Sequence, residues 1–146
     1  LVDVASALAY IHSHGFFHQQ VRAESVLLFA ERRQVYYTDP EICSTWGHWE
    51  EFTYTPRLGD FDRVTCNDEP RASLLFPLSD TPERLDCYSF GLMAARAFCG
   101  RVDMNQLFCR PLDYVAEHDL PHKARLAIVG VFHLKCSMRE VHARIK

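Results

Sequence analysis

His18-Gln19-Gln20-Val21-Arg22-Ala23-Glu24-Ser25-Val26-Leu27-Leu28 is a polar loop that passes without a break into an apolar run. Upstream, residues 1–14 place Leu1, Val4, Ala5, Leu8 and Ile11 on one helical face, with Asp3, Ser6 and Ser13 elsewhere. That spacing predicts an amphipathic helix. Gly15 is its natural stop, and Phe16 and Phe17 lead from it into the loop. Val26-Leu27-Leu28-Phe29 reads as a short strand buried on both faces, since such a run has no polar side to turn to water.

Working outward, residues 30–55 are rich in aromatics: Tyr36, Tyr37, Trp46, Trp49, Phe52 and Tyr54. They are expected to form an irregular insertion whose rings pack on its own domain, with strand pieces at 34–38 and 52–55. A ligand or partner surface is the alternative. After Gly59 the chain is turn-rich through Asp60-Phe61-Asp62, Asn67 and Pro70. Residues 86–98 are apolar nearly all round, which predicts a helix in the middle of a domain, ended by Gly100. A helical stretch over 104–117 must break or kink at Pro111, because proline lacks an N–H and clashes with the preceding turn. Pro121 sits at the start of another helix, over 124–134. Ser137-Met138-Arg139-Glu140 has capping-box spacing, with Val141 and Ile145 on the buried side of the last helix.

The chain has 146 residues, 48% apolar and 24% charged, with a formal net charge of -3. Such a chain supports one domain with a moderate core. Sixteen Lys and Arg against nineteen Asp and Glu leave no basic excess for nucleic-acid binding. No apolar run approaches the roughly 20 residues of a membrane span, so no membrane partner is expected. The start has neither a basic region nor a cleavage signal of the secretory kind, and no initiator Met, which suggests a fragment. Six cysteines stand singly, with no CxxC pair to suggest zinc or a redox motif. Reduced thiols in an intracellular compartment, cytoplasmic or nuclear, are the expectation. His118 and His122 are four apart, but Pro121 interrupts the helix that would align them on a metal.

These segments resemble the eukaryotic-type protein kinase superfamily. Residues 7–18 look like the helix and turn before the family's catalytic loop. Residues 18–28 align without a gap on H-R-D-L-K-P-E-N-x-L-L. Leu58-Gly59-Asp60-Phe61-Asp62 resembles the D-F-G element, and Asp86-Cys87-Tyr88-Ser89-Phe90-Gly91-Leu92 the opening of the central large-lobe helix. Lys135-Cys136-Ser137-Met138-Arg139-Glu140-Val141 is similar to R-P-S-x-x-E-V. The resemblance spans nearly the whole chain. It implies a fold that is mainly α with a few short β-strands, the C-terminal lobe of a kinase-like domain over residues 1–146 with the small lobe absent.

The resemblance also implies which residues would carry chemistry, and several have changed. The catalytic-loop positions are Gln20 and Arg22. Gln20 stands where the family has the Asp that orients the attacking hydroxyl; an amide accepts a hydrogen bond but takes no proton, and losing a positioned base costs on the order of 10²–10⁴ in rate. Arg22 replaces a lysine, keeping charge but changing its geometry. Gln19 replaces the arginine that pairs with an activation-segment phosphate. Ser25, Leu27 and Asp60 are the implied nucleotide-side residues, with Asp60 and Ser25 as the metal positions. Asp60 keeps the carboxylate that would bind Mg²⁺, whereas Asp62 replaces a glycine and is read as solvated. His18 and Phe61 match packing positions, and Asp86 would hydrogen-bond the loop backbone. Thr81-Pro82-Glu83 resembles A-P-E but stands close to Asp86, which leaves open whether Glu83 pairs with Lys135. Scaffold kept and reacting groups lost implies a pseudokinase that acts by binding a protein partner, with the small lobe or another chain covering the lobe-facing surface. No cofactor is expected for this chain. The alternative is the large lobe of a divergent active kinase that uses Mg²⁺-ATP.

Overall fold

The computed structural model describes residues 1–37, 47–66 and 81–146. The chain starts in α1, Val2–Ser13, which buries Val4, Ala5 and Leu8. Gly15 follows at φ +75°, a left-handed conformation that a Cβ would strain. A one-turn 3-10 helix at Ala23–Ser25 then feeds β1, Val26–Tyr37. β2, Gly47–Leu58, returns antiparallel to it, with Val26 opposite Leu58, Ala30 opposite Tyr54 and Arg32 opposite Phe52. The remaining helices are α2 (Pro82–Cys99), α3 (Met104–Cys109), α4 (Pro111–Glu117), α5 (His122–Ile128) and α6 (Met138–Ile145). The described residues are thus mostly helical, with one two-stranded antiparallel sheet. None of these helices is long and apolar enough to cross a membrane.

The expectation for Val26-Leu27-Leu28-Phe29 is corrected. The run is a strand, but Leu28 is 64% exposed, with Leu27 and Phe29 about half exposed. Among the described residues the ribbon packs on the core at its foot, through Val26 and Leu58, and the apolar run beyond that foot stays in water. The same holds for the insertion. Its described residues, 30–37 and 47–55, form a regular ribbon rather than irregular pieces, and the Phe52 and Tyr54 rings are exposed instead of packed on the domain; the side chains of Tyr36, Tyr37 and Trp49 lie outside what the structure describes. Arg57 lies over the Phe29 ring at 4.7 Å, and Arg32 pairs with Glu50, so the ribbon is stitched by its own side chains. Thr38, Cys43, Trp46 and the turn signals at Asn67 and Pro70 lie outside the described residues.

α2 runs through the middle of the helical layer. Thr81 caps its first turn by accepting from the Arg84 N–H at 3.3 Å, and Pro82 sits at the first helical position, where its missing N–H costs nothing. The A-P-E-like residues therefore form the first turn of this helix. Leu85, Tyr88, Phe90, Leu92 and Ala95 on it are buried with Leu107, Tyr114, Ile128, Val131 and Met138 from the later helices. Each fully buried side chain of this size contributes about 1.5–3 kcal/mol of apolar transfer. Tyr88, Phe108 and Phe132 meet at centroid distances of 4.8–5.8 Å, with the Tyr88 and Phe132 rings stacked. Cys87 is sealed in the same layer, and burial pushes its thiol up to about 12, so it stays a protonated packing group. Among the described residues Cys87, Cys99, Cys109 and Cys136 form no disulfide.

Pro111 separates α3 from α4, and the helix expected over 124–134 is α5 continued by a π-helical turn at Val129–His133. α6 opens with a complete capping box. Ser137 Oγ accepts from the Glu140 N–H, and the Ser137 N–H and hydroxyl both donate to Glu140 Oε2, at 2.8 and 2.9 Å. Those two bonds hold the Glu140 carboxyl below the usual carboxylate range. Because the folded pKa lies below the unfolded one, the linked stability is complete at neutral pH and fades as pH falls through the lowered value. Ser137→Ala is expected to cost on the order of 1 kcal/mol at neutral pH, read from urea midpoints. The difference from wild type should shrink under acid conditions.

Candidate functional site

The loop between α1 and β1 is held from the opposite side by α2. Asp86, 0% exposed, accepts from the His18 N–H at 2.7 Å through Oδ2 and from the Gln19 N–H at 2.6 Å through Oδ1. His12, on the last turn of α1, adds Nε2 at 2.9 Å from Oδ2. A carboxylate stripped of water survives only where donors replace it, and here three do. The other His12 ring nitrogen has no hydrogen-bond partner and lies 3.9 Å from Glu83 Oε1.

His18 locks the loop to the end of β2. Its Nε2 contacts the Gly59 carbonyl oxygen at 2.8 Å, its Nδ1 accepts from the Gln20 N–H at 3.3 Å, and its ring meets Phe61 edge-on at 5.2 Å. The Gly59 N–H donates to the Ser25 carbonyl at 2.8 Å. A two-residue bridge between Phe17 and Thr65, joined by the Gln19 amide donating to the Thr65 hydroxyl, closes the other side. Gln19 (φ +57°) and Asp60 (φ +63°) are both left-handed without being glycine. Such conformations cost of order 1–3 kcal/mol each and persist only where surrounding contacts over-determine them.

This frame brings Arg22, Ser25 and Asp60 together. Arg22 Nη2 lies 3.2 Å from Asp60 Oδ2. The buried Ser25 hydroxyl lies 2.8 Å from the Gln20 carbonyl and 3.5 Å from Asp60 Oδ2. A hydroxyl has one proton, and the shorter contact takes it. Gln20 faces a cleft of about 410 Å³ between the loop and α2, whose walls include Arg22, Glu24, Ser89, Met93 and Arg96. Leu27 stands half-exposed at the foot of the ribbon against Gly59, where an added Cβ would come within 3.0 Å of its Cδ1. Asp62 is exposed.

Glu83 and Lys135 do not pair. Lys135 instead donates to the Tyr88 hydroxyl at 3.4 Å, and the neighbouring Arg84 donates to the Val131 and Cys136 carbonyls at 2.8 and 3.0 Å. His118 stacks on Tyr114 and contacts its carbonyl oxygen through Nδ1 at 2.8 Å. Among the described residues no group of three or more His, Cys, Asp or Glu side chains gathers as a metal site. Two contacts were missed from sequence: His12 on Asp86 and Arg22 on Asp60. Both join positions far apart in the chain, and neither leaves a local spacing to read. No protein-family model, curated protein or solved structure matches the chain.

Proposed function

We propose that this chain is the large-lobe part of a protein-kinase-like domain that has lost phosphoryl transfer and works by binding a protein partner. The observation that carries the reading is the carboxylate of Asp86, which fixes the His18 and Gln19 backbone from a helix far along the chain. Arg22 and Ser25 of that loop lie 3.2 and 3.5 Å from Asp60 Oδ2, which supports two of the neighbours that the resemblance implies. The reacting group at Gln20 is an amide, which orients a hydroxyl but accepts no proton. The site therefore keeps a frame without a base.

The partner side of the proposal rests on exposed apolar surface. Tyr10 (66% exposed) and Phe61 (50%) line an open groove that runs from α1 to Leu58, and Leu28 (64%) is open to solvent on β1. Large apolar side chains exposed around a groove are a feature of interaction surfaces. A small lobe or another chain is the occupant proposed for it.

A thermal-shift titration with Mg²⁺ and ATP tests the loss of function. A ligand present at about 100 times its Kd stabilises the folded state by about 2.7 kcal/mol, a shift that is easily read. No rise in Tm is expected at millimolar nucleotide, and Gln20→Asp with Ser25→Asn is expected to restore neither binding nor transfer in this chain. A saturable rise with wild-type protein would contradict the proposal.

A further inference from the structure

The resemblance implies a divalent cation between Asp60 and position 25, and the donor set speaks to whether one fits. A hard cation needs several oxygen ligands, and Mg²⁺ demands them at about 2.0–2.1 Å in near-octahedral order. Asp60 Oδ2 is already 3.2 Å from the Arg22 guanidinium. The Ser25 hydroxyl is committed to the Gln20 carbonyl at 2.8 Å. Among the described residues no cluster of three or more ligating side chains surrounds the carboxylate. A cation bonded to Oδ2 would share that oxygen with a fixed positive charge and face Coulomb repulsion from it. The residues as arranged do not fit the metal.

We infer that Arg22 is the resident counter-ion of Asp60: its guanidinium stands where a divalent cation would bind and keeps the carboxylate from taking one. The pairing follows from how the chain folds locally. The 3-10 turn at Ala23–Ser25 and the Gly59–Ser25 backbone bond set the start of β1 beside the end of β2. Asp60, in its left-handed conformation, lies beside the Arg22 side chain. A planar fork with several N–H donors suits a carboxylate better than the lysine that the resemblance places at position 22. Arg22 is 53% exposed and Asp60 28%, so the pair is open enough for exchange with solvent ions. The inference rests on the proposed reading for the identity of Asp60 as a metal position, but its test uses no nucleotide.

The probe is Mn²⁺ alone, titrated into the 146-residue chain, with free Mn²⁺ read by electron paramagnetic resonance. Paramagnetic broadening of the Ser25 and Asp60 amide resonances locates any bound ion. Wild type and Arg22→Lys, which keeps the charge, are expected to leave those resonances sharp. Arg22→Ala is expected to bind Mn²⁺ at this position at least about tenfold more tightly than wild type, the equivalent of about 1.4 kcal/mol. Arg22→Ala with Asp60→Asn should lose the gain. Because the Arg22 side chain is largely in water, circular dichroism should show these variants folded. Wild type binding as tightly as Arg22→Ala would overturn the inference, as would no gain in Arg22→Ala, or a gain that survives Asp60→Asn. Phosphate transfer or an ATP-dependent thermal shift would instead defeat the functional reading and leave the Mn²⁺ result standing.

Discussion

Asp86→Ala is expected to lower the unfolding free energy by about 4 kcal/mol, a fall in Tm of roughly 10 °C for a chain of this size. The substitution leaves the His18 and Gln19 N–H groups and His12 Nε2 without their shared acceptor, around an Asp86 and a His18 that are fully buried. Each orphaned buried donor costs about 1–3 kcal/mol, and the relief of no longer burying a carboxylate offsets only part of the sum. The loop should suffer most, because Gln19 loses a contact that holds it at φ +57°. Asp86→Asn retains one acceptor oxygen but turns an N–H₂ toward another donor, and an intermediate loss is expected. Urea midpoints with an unchanged m-value are the measurement. Alanine within about 1 kcal/mol of wild type would show that the carboxylate does not carry these bonds.

Gly91→Ala is the second large effect. Gly91 is buried on α2, and a Cβ there would stand 2.6 Å from Phe132 Cε2 and 3.0 Å from Val131 Cγ1. Alanine is the better helix former by about 1 kcal/mol, so on propensity alone it would stabilise. The contact decides otherwise. Phe132 is 2% exposed, stacked on Tyr88 and edge-on to Phe108, and has little room to withdraw. Overpacking of this kind costs typically 1–3 kcal/mol, and a net loss of about 2 kcal/mol is expected. Near-ultraviolet circular dichroism should report the displaced rings. A variant as stable as wild type would mean that the α2–π-turn contact is looser than 2.6 Å implies.

How much of this was legible in the sequence depended on whether the signal was local. The capping box of α6 and the Pro111 break need only neighbouring residues, and both were read. The apolar run over 86–98 is too long for a strand and marks α2, but its first turn, from Pro82, is more polar and carries no such run. Burial of Val26-Leu27-Leu28-Phe29 depends on how many strands and layers surround it, which the run itself does not encode. In the candidate site, the grip of Asp86 on the loop came from resemblance and from nothing in the spacing. The Arg22–Asp60 pair was invisible, since a separation of 38 residues is bridged only after β1 and β2 have brought Ser25 and Gly59 together.

The most direct test of the central claim is transfer from ATP radiolabelled on its γ-phosphate, with the purified chain as the sole protein besides a peptide bearing serine, threonine and tyrosine. No label is expected in the peptide or in the chain beyond that seen with Asp60→Asn. Label that accumulates with wild type and disappears with Asp60→Asn would contradict the account, because a frame whose base has become Gln20 would then be carrying out the chemistry it is held to have lost.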